Sequence, residues 1–374
     1  MEALSLSQIE TLGRQVLWLG FALAVALGWL LQRSHFCTMG AISDWVLMRD
    51  ATRLRQWGLA LAVATLGLGG MTLAGWLSPL NSIYAVPRFP WLSYLLGGLL
   101  FGMGMVLASG CPAKNLVRLG TGNLKALVVL VVMAVAALAS LRGWPGLLRV
   151  QVLGPMTAGV EAGPFIGQWL ASVSGLNVPL SLFLVALIVS LALLIWVVRG
   201  PGFLRAGNLL AGVGVGAVLL AMWWISGVLG LVPEHPETLE RVYLGTASGR
   251  MEGLSFTGPV AQWLDAFLYQ ADGAGRITLG MALVPGVVLG ATLSAWRHGD
   301  LRWEGFTRTA DLVRHLVGAL FMGVGGVSAM GCTFGQGLTG LSTLNWGSLL
   351  AVASIVTGAG LTLRVQWWLA ERHG

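Results

Sequence analysis

Residues 97–111 read GGLLFGMGMVLASGC, and residues 318–332 read GALFMGVGGVSAMGC. Set Cys111 on Cys332, an offset of 221 positions, and eight of the fifteen pairs are identical. Gly97, Leu99, Gly102, Gly104, Val106, Ala108, Gly110 and Cys111 meet Gly318, Leu320, Gly323, Gly325, Val327, Ala329, Gly331 and Cys332. Chance alignment of Gly-rich helices gives fewer matches and does not end on a rare residue. The spans before them, 57–77 and 277–296, fall at the same offset. The chain therefore reads as a duplication.

Each stretch is long and apolar enough for a membrane helix, which needs roughly 20 residues to cross the hydrocarbon core. Seven further stretches qualify. The expected spans are 13–33, 57–77, 92–111, 124–141, 179–198, 207–230, 277–296, 314–331 and 346–366. Composition agrees. Of 374 residues, 56% are hydrophobic and only 10% charged, with 54 glycines. An average soluble domain carries about 25% charge. Disordered, disulfide-rich secreted and ordinary soluble enzyme classes are excluded, and glycine suits close helix contacts in a bilayer. The expected fold class is an all-α polytopic membrane protein with about nine spans, plus broken or re-entrant and interfacial helices. The first span reads as a retained helix, since no small-residue cleavage site follows it.

Loop charge sets the expected orientation. Arg49, Arg53 and Arg55 follow span one, and Lys114, Arg118 and Lys125 follow span three. Arg199 and Arg205 follow span five, Arg297, Arg302, Arg308 and Arg314 follow span seven, and Arg364 and Arg372 close the chain. Every second loop is basic, as cytoplasmic loops are. The N-terminus is expected outside and the C-terminus inside. The 231–276 segment, with Glu234, Glu237, Glu240, Glu252, Asp265 and Asp272, is then outside. Arg142 and Arg149 run against this pattern. The net charge of +7 belongs to the same rule; with only two lysines, Lys114 and Lys125, there is no nucleic-acid tail. Gly163-Pro164-Phe165 with Trp169, and Gly258-Pro259-Val260 with Trp263, read as short interfacial helices.

By the same charges, the span at 92–111 runs inward and that at 314–331 outward. The halves, 1–200 and 201–374 of one transmembrane domain, are expected to be inverted repeats. Secondary transporters are built this way, with the site at the repeat interface.

Three cysteines, Cys37, Cys111 and Cys332, each sit where an apolar run breaks beside glycine. An odd, small number without a Cys-x-x-Cys pair argues against a disulfide framework or a thiolate metal site. A broken helix at membrane depth must be buried in protein or line a wet cavity, and its free N–H groups favour an anion. The breaks are candidate stations on a substrate path. Lys114, Arg118, Asn115, Thr333, Gln336 and Arg33 are candidate anion-binding support. Each has an ordinary alternative: the cations as loop charges, the amides and Thr333 as partners of broken backbone, Asp44 as the partner of a nearby Arg, and His35 as an interface residue. No cofactor or metal is expected, and no nucleotide-binding motif is present.

Phe36-Cys37 with Gly40 and Asp44, the Gly97–Cys111 run, and the Gly318–Cys332 run with Gly335 and Gly337 resemble the YeeE/YedE family of sulfur-compound permeases. The likeness extends over nearly the whole chain. It implies a non-enzymatic permease importing thiosulfate across the inner membrane, with Cys37, Cys111 and Cys332 lining the path and passing the anion along. It also implies a small sulfurtransferase-type partner in the cytoplasm. Two positions depart from the family pattern: Ser43 stands before Asp44 where Arg is common, and Cys-Pro-Ala-Lys replaces Cys-Ala-Thr-Gly after Gly110. Rival readings are a membrane sulfur-transfer enzyme using a cysteine persulfide, a passive anion channel and a structural or regulatory subunit.

Overall fold

The computed structural model describes residues 5–160, 162–269 and 277–373; Asp272 lies outside them. Among the described residues, nine helical stretches are long and apolar enough to cross a membrane, and no other secondary structure exceeds two residues per strand. The chain is an all-α polytopic membrane protein.

The helices run in order as α1 (Leu6–Ser34), α2 (Thr38–Ser43), α3 (Thr52–Leu73), α4 (Trp91–Leu107), α5 (Pro112–Gly120), α6 (Leu124–Arg142) and α7 (Trp144–Leu148). Then come α8 (Ile166–Ser174), α9 (Val178–Val198), α10 (Ala206–Trp224), α11 (Thr257–Tyr269), α12 (Leu279–His298), α13 (Thr309–Ser328) and α14 (Trp346–His373). The interfacial segments appear as α8 and α11. Helix α1 starts at Leu6, earlier than hydropathy places it. Its polar first turn is held by a capping box in which Ser5 accepts from the Gln8 N–H and Gln8 accepts from the Ser5 N–H. At the foot of α3, Thr52 donates its N–H and hydroxyl to Asp50, at 2.9 and 2.7 Å. These bonds hold the Asp50 carboxyl below its ordinary range.

The centre of the bundle is the pair α4 and α13. Residue 97 lies beside 329, and 104 beside 318, so the two helices are antiparallel. Glycine makes the approach feasible. A Cβ on Gly104 would stand 2.5 Å from the Gly318 carbonyl oxygen, and one on Gly325 2.7 Å from the Gly97 carbonyl oxygen. Under the 221-residue offset these two contacts are the same contact seen from either side. Reciprocity extends outward: α4 packs on α14 and α13 on α6, while α3 packs on α10 and α12 on α1.

Charged groups collect at two ends. At one, Arg53 pairs with Asp44 at 3.4 Å, Lys125 with Asp311 at 2.9 Å, and Asn123 donates to Glu304. At the other, Arg142 meets Asp265 at 2.9 Å, so a cation that runs against the loop-charge pattern has a carboxylate partner on the same side. Two loops at this second end fold inward. Residues 78–86 and 249–256 join through Ile83 N–H to Met251 O and Met251 N–H to Asn81 O, and they carry buried Tyr84, Leu254 and Phe256 into the bundle.

Candidate functional site

Each cysteine occupies the same local device. The helix before it ends on a non-glycine residue in the left-handed region: His35 (φ 52°), Ser109 (φ 56°) and Met330 (φ 57°). Such a conformation is uncommon outside Gly and collects at functional sites. Two residues later the cysteine caps the next helical segment. Cys37 Sγ accepts from the Gly40 N–H at 3.4 Å, and Cys332 Sγ from the Gly335 N–H at 3.5 Å. Cys111 precedes Pro112 at the first position of α5, where a missing N–H costs nothing, and its thiol faces the Lys114 N–H. All three thiols are free and buried, and Cys37 and Cys332 lie within electrostatic reach of Cys111.

The supporting residues divide. Asn115 Nδ2 donates to the Gly110 and Cys111 carbonyls, at 2.9 and 3.2 Å. Gln336 Nε2, its mate under the offset, donates to the Ala329 and Met330 carbonyls, at 2.8 and 3.1 Å. Both amides tie the break to the helix end that precedes it. Arg118 Nη1 reaches the Ser109 carbonyl at 3.3 Å from α5. The half-buried Lys114 lays its stem beside Gly110. Thr333 faces the Cys111 thiol but closes no hydrogen bond, and its buried oxygen is left without a partner. Arg33 is exposed on the last turn of α1 and is not brought to the cysteines. Asp44 is engaged by Arg53.

Sequence reasoning missed Tyr84, fully buried, whose hydroxyl donates to the Gly335 carbonyl. Its backbone carbonyl accepts from Asn345 Nδ2 at 2.9 Å. No periodic pattern marks a loop residue that travels inward. An aromatic group was also missed: Phe36 stacks on Trp57 at 5.0 Å, and Phe334 meets Phe36, Trp57 and Phe256 edge-on at 6.1, 5.7 and 5.4 Å. Phe36 and Phe334 flank Cys37 and Cys332, and that adjacency was the available signal. Chemically, the site offers neutral soft donors, capped helix starts and two cations at one end, an arrangement for holding an anion briefly rather than for cleaving one.

The chain was compared with known proteins at this point. A thiosulfate transporter, TsuA, of Escherichia coli strain K12 is 26% identical over 346 residues, which cover 91% of each chain. The TsuA thiosulfate transporter of Spirochaeta thermophila is 27% identical over 351 residues, covering 92% of this chain and 97% of that one. The family model described as sulphur transport matches residues 33–361, a segment that contains all three cysteine breaks and both glycine runs, and this chain belongs to that family.

Proposed function

We propose that the protein imports thiosulfate, or a closely related sulfur anion, across the bacterial inner membrane by relaying it along Cys37, Cys111 and Cys332. The observation that carries this reading is the thrice-repeated device of a left-handed residue, a spacer and a capping free thiol. Its occurrence in a chain similar to thiosulfate transporters over nine-tenths of both lengths supports the choice of anion.

A bare dianion is prohibitively costly in hydrocarbon. Helix starts at the breaks and the cations Lys114 and Arg118 offset part of that cost, while the S–H group is a weak donor that adds no charge. Weak donors at several stations let the anion leave as well as enter. The thiols act unmodified, without disulfide or metal. The halves 1–200 and 201–374 act as inverted repeats, and the reciprocal α4–α13 contact supports that division. The N-terminus lies outside and the basic end, with the C-terminus, in the cytoplasm; the Arg142–Asp265 pair supports this by removing an objection to it. A small sulfurtransferase-type protein receiving the anion at the basic end is part of the proposal.

The test is uptake of radiolabelled thiosulfate into proteoliposomes holding this chain alone, with sulfate, sulfite and selenite as competitors. Saturable uptake blocked by thiosulfate and not by sulfate is expected. Turnover of a cysteine persulfide without net uptake would replace the permease with a sulfur-transfer enzyme. Uptake that never saturates would replace it with a channel.

A further inference from the structure

Between α2, α3, α9 and α14 lies a cavity of about 260 Å³. Its walls are almost wholly apolar, with Leu54, Leu61, Trp196 and Ile355 among them, and no charged side chain lines it among the described residues. Three residues at its edge carry hydrogen-bond donors: Thr38, Trp57 and Thr333. The Thr38 and Thr333 hydroxyl oxygens and the Trp57 indole nitrogen are each buried with no hydrogen-bond partner among the described residues. A buried polar group left unpaired is rare and costly, and here three adjoin one cavity. Thr38 and Thr333 directly follow Cys37 and Cys332. An apolar pocket with a few convergent polar groups is the ordinary form of a small-ligand site.

We propose that Thr38, Trp57 and Thr333 form a donor station between Cys37 and Cys332 for a small sulfur oxyanion whose other end is soft and weakly hydrated. The inference rests on the import reading above and assigns that anion's selectivity. The three donors take oxygens, and the apolar wall takes the terminal sulfur. Sulfate, with oxygen at every corner, leaves one facing hydrocarbon and is rejected. In the state described, the donor atoms are sealed by their neighbours, so the station fills only as an anion passes.

The experiment measures thiosulfate uptake and thermal stability of the full chain with Thr38→Val, Thr333→Val, Thr38→Ser, Thr333→Ser and Trp57→Phe. Each lost donor to an anion is expected to raise KM for thiosulfate roughly tenfold or more. The serine variants stay within about threefold of wild type, since the donor remains. The valine variants melt no lower than wild type, because they remove a hydroxyl that has no partner. Loss of uptake without loss of stability separates a ligand donor from a structural hydroxyl. Valine variants with wild-type KM, serine variants as damaged as valine ones, or valine variants that melt clearly lower would each overturn the assignment. The wild-type arm keeps the two proposals distinct: wild-type uptake with unaltered variants overturns the donor station alone, whereas no wild-type uptake overturns the import reading and the station with it.

Discussion

The breaks at Cys111 and Cys332 began as one design and have become different ends of a path. Both follow a left-handed residue, and both are tied back by an amide, Asn115 or Gln336, at matching positions. Beyond the cysteine they diverge. After Cys111 comes Pro112 and a regular nine-residue helix carrying Lys114 and Arg118. After Cys332 comes a wide turn over Gly335–Gly340, buried throughout, with Gly335 and Thr339 where the cations stood. Its amide is further engaged, since Gln336 Oε1 accepts from Ser348 at 2.7 Å, whereas Asn115 Oδ1 is left unpaired. Tyr84 closes over the turn. Duplicated backbone can thus be kept while charge is stripped from one copy. One break ends in an electropositive helix, the other in a neutral plug.

The strongest way to break this comparison is at the shared interface. Gly104→Leu and its mate Gly325→Leu each force a side chain into the facing backbone. Each is expected to destabilise by about 3 kcal/mol or more and to lower the yield of folded protein in detergent by size-exclusion chromatography. Equal damage follows from reciprocity; damage at one site alone would show that the halves no longer pack alike. Next, Cys111→Ala and Cys332→Ala should each reduce thiosulfate uptake about a hundredfold, roughly 2.7 kcal/mol in the barrier, with the fold intact by circular dichroism. A surviving Cys332→Ala transporter would confine the path to the basic break. Removing charge sharpens the contrast: Arg118→Gln should raise KM about tenfold and flatten the salt dependence of uptake, while Thr339→Val changes KM by less than about threefold. The smallest effect is in the ties. Asn115→Ala and Gln336→Ala should each cost about 1 kcal/mol of stability, read as a shift in melting temperature, with Gln336→Ala the larger because it also abandons Ser348.

Much of this was legible from residue order. Nine spans follow from apolar run length, because a bilayer imposes that length. The α4–α13 pairing was foreshadowed by glycines at matching positions, since only glycine lets backbones approach so closely. The cysteine breaks were visible because Gly and Pro punctuate helices. Asn115 and Gln336 were correctly singled out, yet their task is to bind carbonyls at the break, which composition does not specify. Arg33 shows the limit on the other side. It sits four residues before Cys37, but the turn at His35 leaves it on the outer face of α1. Tyr84 and Trp57 were illegible because their place depends on contacts with residues far along the chain, to Gly335 and Phe334. The partner of Arg142 escaped notice for the same reason, being 123 positions away at Asp265.

The glycine face shared by α4 and α13 also has a consequence for synthesis on the ribosome. Helix α4 is complete at Leu107, but its partner does not begin until Thr309. At about 5–20 residues per second, the interval is on the order of 10–40 s. Throughout it, the nascent α4 rests in lipid with its close-packing groove empty. Because that groove is matched by a near copy of itself, two chains made side by side on one message present complementary faces before either has its own partner. Cross-chain pairing of half-made molecules is therefore the characteristic misassembly of this architecture, and slower translation between the halves lengthens the exposure.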